Sequence, residues 1–138
     1  MRKIFLLLVI ITAFLSCDSG STRTKNPNLP DYLVNEALNL SLPQYSQLQF
    51  VSNPVIINAG ISGIVVMNTG TSYTAFDLAC PNQQYGSCPS AMTLVGLNAY
   101  CNCDESTYSL FTGLGLGQQY PMKQYRAQMS GGVLYITN

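Results

Sequence analysis

An all-β domain is what this sequence predicts, on three observations. Short runs rich in Val, Ile, Tyr, Thr and Phe recur along the chain, Gly, Pro, Asn or Ser separates them, and no segment keeps a helical period except Tyr32 to Leu40. β-branched and aromatic side chains suit a pleated, half-buried surface, whereas Gly and Asn supply the backbone geometry that tight turns need. With 138 residues, 47% of them hydrophobic and only 9% charged, the chain can pack one core, and it lacks the room for two.

The strand candidates follow in order from Tyr45. They are Tyr45 to Val51, Val55 to Asn58, Gly63 to Met67 and Tyr73 to Asp77, a pattern of successive antiparallel strands. Asn68-Thr69-Gly70-Thr71 predicts a hairpin turn between the third and fourth, and Ser130-Gly131-Gly132 predicts another ahead of Val133 to Ile136. Between these hairpins lie a strand-poor, Cys-rich stretch from Cys80 to Cys103, a run Thr107 to Phe111, the loop Gly113-Leu114-Gly115-Leu116-Gly117 and a strand-like run Met122 to Gln128.

Composition excludes several kinds of chemistry. The chain has no histidine, which removes the usual general base near neutral pH, the commonest metal ligand, and every Ser-His or Cys-His nucleophile pair. It has no tryptophan either, so its nine Tyr and five Phe carry all aromatic contacts, and in a β domain these chiefly serve strand packing. Formal charge is zero; without Arg2 and Lys3 four basic residues remain against six acidic ones, a balance that argues against nucleic acid as a partner.

The first sixteen residues read as a signal peptide: Arg2-Lys3, then an apolar run from Ile4 to Leu15 that is too short to span a bilayer. Phe14-Leu15-Ser16-Cys17 resembles the bacterial lipoprotein box, in which cleavage precedes a cysteine that receives a diacylglycerol. That resemblance implies Cys17 as a lipidated N-terminus, and two or three acyl chains, at about 0.8 kcal/mol per buried methylene, anchor a protein stably. Residues 18–30, DSGSTRTKNPNLP, are polar and suit a flexible tether. The expected organisation is therefore a signal peptide over 1–16, a lipidated tether over 17–43 and a β domain over 44–138, held at the inner or outer membrane of a bacterial envelope.

Beyond Cys17 there are four cysteines, Cys80, Cys88, Cys101 and Cys103, an even number in a thiol-oxidising compartment. Two disulfides are expected, and the sequence permits three connectivities.

Cys80-Pro81-Asn82 and Cys101-Asn102-Cys103-Asp104-Glu105-Ser106-Thr107-Tyr108, flanked by Tyr73-Thr74-Ala75-Phe76-Asp77 and Phe111-Thr112-Gly113, resemble the two loops of a Rieske domain. The resemblance runs from about Phe50 to the Gly-Val-Leu-Tyr-Ile-Thr-Asn ending and implies a small Rieske-like antiparallel β sandwich with two loop-borne cysteine motifs. In that family the loops read C-x-H and C-x-x-H and hold a [2Fe–2S] cluster through two Cys and two His. Here the Cys positions are Cys80 and Cys101, whereas Asn82 and Asp104 occupy both His positions and Glu105 the position of the usual Gly.

Some members carry a further disulfide between the loops, which maps onto Cys88 and Cys103. Without a cluster the resemblance leaves Cys80 and Cys101 facing each other, and so implies the pairs Cys80–Cys101 and Cys88–Cys103. Each such bridge contributes roughly 3 kcal/mol in the chain-entropy account. The competing expectation is an electron carrier whose [2Fe–2S] cluster draws unusual ligands from the four cysteines and Asp104. Export disfavours it, because exported Rieske proteins travel folded behind a twin-arginine signal, which Arg2-Lys3 is not.

Other groups read blandly. Asp104 and Glu105 are adjacent loop carboxylates that diverge into water, and the Gly113-to-Gly117 stretch lacks the Lys-Ser/Thr of a phosphate loop and reads as a loop remnant. Tyr85, Tyr100, Tyr108 and Tyr120 surround the loops, either packed beneath them or forming a patch for a protein partner. The expected role is structural or binding in the cell envelope, without enzymatic activity, cofactor or metal.

Overall fold

A computed structural model describes residues 25–138; the leader, Cys17 and the first part of the tether lie outside the described residues. The fold is all-β. Among the described residues, nine short strands form three antiparallel three-stranded sheets: β1 (Asn35–Asn39), β9 (Val133–Thr137) and β8 (Arg126–Ser130) in the first; β2 (Val55–Ile57), β3 (Ile64–Asn68) and β4 (Tyr73–Asp77) in the second; β5 (Thr93–Val95), β6 (Asn98–Tyr100) and β7 (Thr107–Ser109) in the third. No helix among the described residues is long and apolar enough to cross a membrane.

The second sheet lies in the middle. Strand residues alternate between faces: Ile64 and Val66 of β3 pack with Leu38, Leu134, Ile136 and Tyr125 on one side, while Val65 and Met67 pack with Tyr108, Leu110, Ala99 and Cys101 on the other. Burial on both faces explains why β3 reads as the unbroken apolar run Ile64-Val65-Val66-Met67. Strand β9, the central strand of the first sheet, alternates instead, with Leu134 and Ile136 inward and Tyr135 outward.

Turns fall where glycine allows them. Gly131 and Gly132 join β8 to β9 with φ of 57° and 80°, the paired positive values that a type I′ hairpin requires. The Asn68-to-Ser72 turn joins β3 to β4, with Thr69 N–H donating to Ser72 O at 2.9 Å. The strands Val55 to Asn58, Gly63 to Met67, Tyr73 to Asp77 and Val133 to Ile136 form within a residue or two of their expected places.

Four expectations need correction. Tyr32 to Leu40 is not helical: Asn35–Asn39 is strand β1, registered with Leu38 opposite Leu134. Its Glu, Ala and Leu favour a helix locally, but pairing with the open edge of β9 and the burial of Leu38 prevail. Tyr45 to Val51 forms a short 3₁₀ turn over Ser46–Gln49 that drives Leu48 into the core and offers its carbonyl to Asn68 Nδ2 at 3.1 Å. The Cys80-to-Cys103 stretch contains the hairpin β5–β6, turned at Gly96-Leu97 with Gly96 at φ 60°.

The fourth is the domain boundary. Packing begins well before residue 44, since Leu29, Val34, Leu38 and Leu40 are all buried. Asn26 Nδ2 and Asn28 Nδ2 both donate to Pro81 O, at 2.7 and 3.1 Å, so the polar composition of this part of the tether serves docking rather than mobility.

Met122 to Gln128 is a strand-like segment that changes sheets. Lys123 O accepts from Asp77 N–H and Tyr125 N–H donates to Ala75 O along β4, after which Arg126–Ser130 continues as β8 beside β9. At this crossing Asp77, wholly buried, accepts from Ile61 N–H (2.7 Å), Ser62 N–H (3.1 Å), Ala79 N–H (2.9 Å) and Tyr125 Oη (2.8 Å). Gly60 permits this wrap, because a Cβ there would collide with Asp77 Oδ2. Burial, followed by the nearby Asp77 charge, pushes the Tyr125 hydroxyl far above its ordinary value.

Candidate functional site

The third sheet presents the cysteine loops. Loop 1, Cys80 to Cys88, leaves β4 through Leu78-Ala79; loop 2, Cys101 to Ser106, joins β6 to β7; loop 3, Leu110 to Met122, returns from β7. Two disulfides join loops 1 and 2, Cys80–Cys101 with Cα atoms 5.7 Å apart and Cys88–Cys103 with Cα atoms 6.0 Å apart. This is the connectivity that the Rieske resemblance implies.

The bridges occupy different surroundings. Cys80 and Cys101 are 4% and 0% exposed and belong to the core beneath β5–β7, while Cys103 is exposed and Cys88 half-buried. They also touch: Cys88 Sγ lies 3.6 Å from Cys80 Sγ, and the sulfurs of Cys80, Cys88 and Cys101 all fall within 4.8 Å of one another.

Asn82 and Asp104 each tie two loops together. The Asn82 amide donates to Tyr120 O (2.9 Å) and to Tyr108 Oη (2.9 Å), and Asn82 Oδ1 accepts from Tyr120 N–H (3.0 Å). Loop 1 is thus fastened to loop 3 by a side chain whose both donors and acceptor are engaged. Asp104 Oδ2 accepts from Gln83 Nε2 (3.0 Å), linking loop 2 to loop 1, and Asp104 Oδ1 accepts from Ser106 N–H (3.1 Å) and Ser106 Oγ. Burial raises the Asp104 carboxyl, but the hydrogen bonds from Ser106 and Gln83 prevail and hold it below the ordinary carboxylate value.

Ser106 Oγ is also bonded to the buried Tyr108 Oη at 3.0 Å. A continuous polar chain therefore runs Asn82, Tyr108, Ser106, Asp104, Gln83 across the floor of the site. No buried side-chain nitrogen or oxygen among the described residues lacks a partner. The donor set, as paired here, does not suit a [2Fe–2S] cluster: a disulfide sulfur is not a thiolate ligand, and the Asn82 and Asp104 groups are already committed.

The glycine-rich loop is tighter than a remnant would be. A Cβ on Gly113 would meet Phe76 Cε1 at 2.6 Å, and one on Gly115 would meet Tyr108 Cε1 at 2.7 Å, so both glycines exist to let loop 3 lie on aromatic rings. Its leucines point the other way, with Leu114 62% and Leu116 100% exposed. The tyrosines divide: Tyr108 is buried, Tyr100 and Tyr120 are half-buried, and Tyr85 is exposed with its hydroxyl 3.1 Å from Tyr32 Oη. Glu105 is exposed and adopts φ 59°, a left-handed conformation at the tip of loop 2.

Sequence reasoning singled out Cys80, Cys88, Cys101, Cys103, Asn82 and Asp104, and the structure brings all six into one site. Missed were Gln83 and Ser106, which complete the polar chain, and Asn26 and Asn28, which brace loop 1 at Pro81 O. A clue existed in the Asn-Pro-Asn spacing of a segment otherwise typical of linkers. Compared with known proteins, the chain matches no family model and no curated protein.

Proposed function

We propose that this is a lipid-anchored envelope protein whose β domain is a Rieske-like scaffold with disulfides in place of an iron–sulfur centre, serving a structural or binding role rather than catalysis. The observation that carries this reading is the fate of the four ligand positions. Cys80 and Cys101 are bonded to each other, and Asn82 and Asp104, at the two histidine positions, spend their polar atoms on fastening loops together. The lack of histidine in the whole chain supports it further, because a Rieske cluster takes two imidazole ligands.

On this reading the bridges replace the cluster as the staple of the loops, each contributing roughly 3 kcal/mol in the chain-entropy account. Cys17 carries the acyl chains, the tether reaches the domain at Asn26, and the loop face with Leu114 and Leu116 at its tip is the surface offered to an envelope protein partner.

The test is iron content, visible spectrum and free-thiol count on protein purified anaerobically from its native membrane, with mass spectrometry of the N-terminal peptide. The expected result is a colourless protein without iron or free thiols and with a diacylglyceryl-modified Cys17. Stoichiometric iron and sulfide would instead establish a redox carrier with ligands among the four cysteines and Asp104, and an unmodified Cys17 would remove the anchor.

A further inference from the structure

Two disulfides in van der Waals contact, one exposed and one buried, are an arrangement with chemical consequences. Thiol–disulfide exchange proceeds by thiolate attack on a bridge sulfur, so its rate depends on how close a freed sulfur stands to the next bridge. Cys103 is the exposed end of the outer bridge, and its partner Cys88 holds its Sγ 3.6 Å from Cys80 Sγ of the inner one. Cys80 and Cys101 are buried, so an external thiol meets the outer bridge at Cys103 before the inner one.

We infer that the paired bridges form a thiol–disulfide exchange site, in which reduction of Cys88–Cys103 by an external dithiol passes inward and replaces Cys80–Cys101 with Cys80–Cys88. In the first step one thiolate of the dithiol attacks Cys103 Sγ; the Cys88–Cys103 bond breaks, and Cys88 leaves as a thiolate. The second thiol of the reductant then resolves the mixed disulfide. Cys103 is released as a thiol, and the dithiol, having given up two electrons and two protons, departs as its own disulfide.

The inward step is an isomerisation without net redox change. Cys88 thiolate attacks Cys80 Sγ, the Cys80–Cys88 bond forms, the Cys80–Cys101 bond breaks, and Cys101 leaves as a thiolate that takes up the proton Cys88 has lost. In the doubly bridged state Cys101 Sγ also lies within 4.8 Å of Cys88 Sγ, which places Cys88 beside the inner bridge rather than on its axis. Release from Cys103 frees the Cys88 side chain to rotate into line behind Cys80.

The outcome changes the loops. Both original bridges join loop 1 to loop 2, whereas a Cys80–Cys88 bridge closes loop 1 on itself across eight positions and leaves loop 2 without a covalent link. The Gln83–Asp104 hydrogen bond then becomes the side-chain tie between the two loops, so a redox event at the surface loosens the loop face. This inference rests on the geometry of the four cysteines and holds whatever the ancestry of the fold.

The experiment uses the Cys103→Ser variant of the full chain, which frees Cys88 without any reductant. Protein is incubated at neutral pH, trapped with acid, alkylated with N-ethylmaleimide in denaturant at low pH, and mapped by peptide mass spectrometry. The expected result is label divided between Cys88 and Cys101 in comparable amounts, with a Cys80–Cys88 peptide present. Label confined to Cys88, with Cys80–Cys101 intact, overturns the inference.

The Cys88→Ser variant leaves Cys103 free and should carry label on Cys103 alone; label spreading to Cys101 or Cys80 would show a route that bypasses Cys88 and overturn the inference too. Should either variant fail to fold, wild-type protein treated with less than one equivalent of dithiothreitol decides the matter. A Cys80–Cys88 peptide appearing before four thiols are free supports the exchange, and Cys88 and Cys103 opening together above an intact Cys80–Cys101 refutes it.

Discussion

Asn82 pairs with the backbone of Tyr120 through two hydrogen bonds, donating to its carbonyl at 2.9 Å and accepting from its N–H at 3.0 Å. The side-chain amide thereby imitates a strand partner and holds loop 3 against loop 1, with the second amide hydrogen on Tyr108 Oη. Replacement by Ala leaves Tyr120 N–H and the Tyr108 hydroxyl without this partner and should cost about 1–3 kcal/mol in a urea unfolding titration. An imidazole cannot supply two donors and an acceptor in this arrangement, so Asn82→His should be no less destabilising than Asn82→Ala. A His variant as stable as wild type would show that these bonds carry little of the loop geometry.

Asp104 predicts an acid limit to loop stability. Its carboxyl is held below the ordinary 3.8 in the folded protein, against the raising effect of burial, by hydrogen bonds from Ser106 and Gln83. A depressed folded pKa contributes stability that is fully present above the unfolded value and is lost as pH falls through the folded one. Unfolding free energy measured between about pH 2 and pH 5 should therefore decline toward acid, and Asp104→Asn should remove part of that slope. Asp31, lowered by its hydrogen bond and charge pairing with Lys123, contributes in the same direction. Being exposed, it should contribute less. An unchanged slope in Asp104→Asn would sink the assignment.

The covalent frame of the site was legible in the sequence, and its surroundings less so. Cys80, Cys88, Cys101 and Cys103 are paired as the resemblance of their loops to those of a Rieske domain implies, because pairing depends on which loops the fold brings together. The middle sheet was legible because its two-sided burial writes an apolar run into Ile64-Val65-Val66-Met67. Strand β1 was not, since an edge strand needs only one inward anchor, Leu38, and its other residues are free to favour a helix locally. The polar chain from Asn82 to Gln83 was invisible for a different reason. Four members are ordinary loop residues and the fifth is Tyr108 of β7, and two of the links, Asn82 to Tyr108 and Gln83 to Asp104, join positions 26 and 21 residues apart that only the fold brings together.

Glycines of loop 3 give a graded prediction. A methyl group at Gly115 would strike the Tyr108 ring and the Gln118 side chain, both within 2.8 Å, without any demand for a left-handed backbone. Gly113 adds φ 71° to its collision with Phe76, and Gly117 has φ 71° but open space around it. Gly113→Ala should therefore be the most destabilising of the three, with about 1–3 kcal/mol from overpacking alone. Gly117→Ala should cost about 1 kcal/mol from the backbone term. Thermal unfolding of the three single variants checks the order, and equal effects at Gly113 and Gly117 would mean that loop 3 yields freely over Phe76.

The Asp77–Tyr125 bond predicts an alkaline limit at the other end of the domain. Tyr125 donates to Asp77 Oδ2 at 2.8 Å where β4 meets the segment entering β8, and burial, followed by the Asp77 charge, raises its hydroxyl above the ordinary 10.0. A raised folded pKa contributes stability that is intact below the unfolded value and is lost as pH climbs beyond it. Unfolding free energy should fall above about pH 10, because the unfolded chain then releases a proton that the folded chain keeps. Tyr125→Phe should flatten this decline and, at neutral pH, cost about 1.5–3 kcal/mol for a lost hydrogen bond to a charged acceptor. Asp77 keeps its three backbone N–H donors in that variant, so the domain should remain folded and the difference measurable. A Tyr125→Phe protein as sensitive to alkali as wild type would move the effect to another of the tyrosines and leave this bond a matter of packing alone.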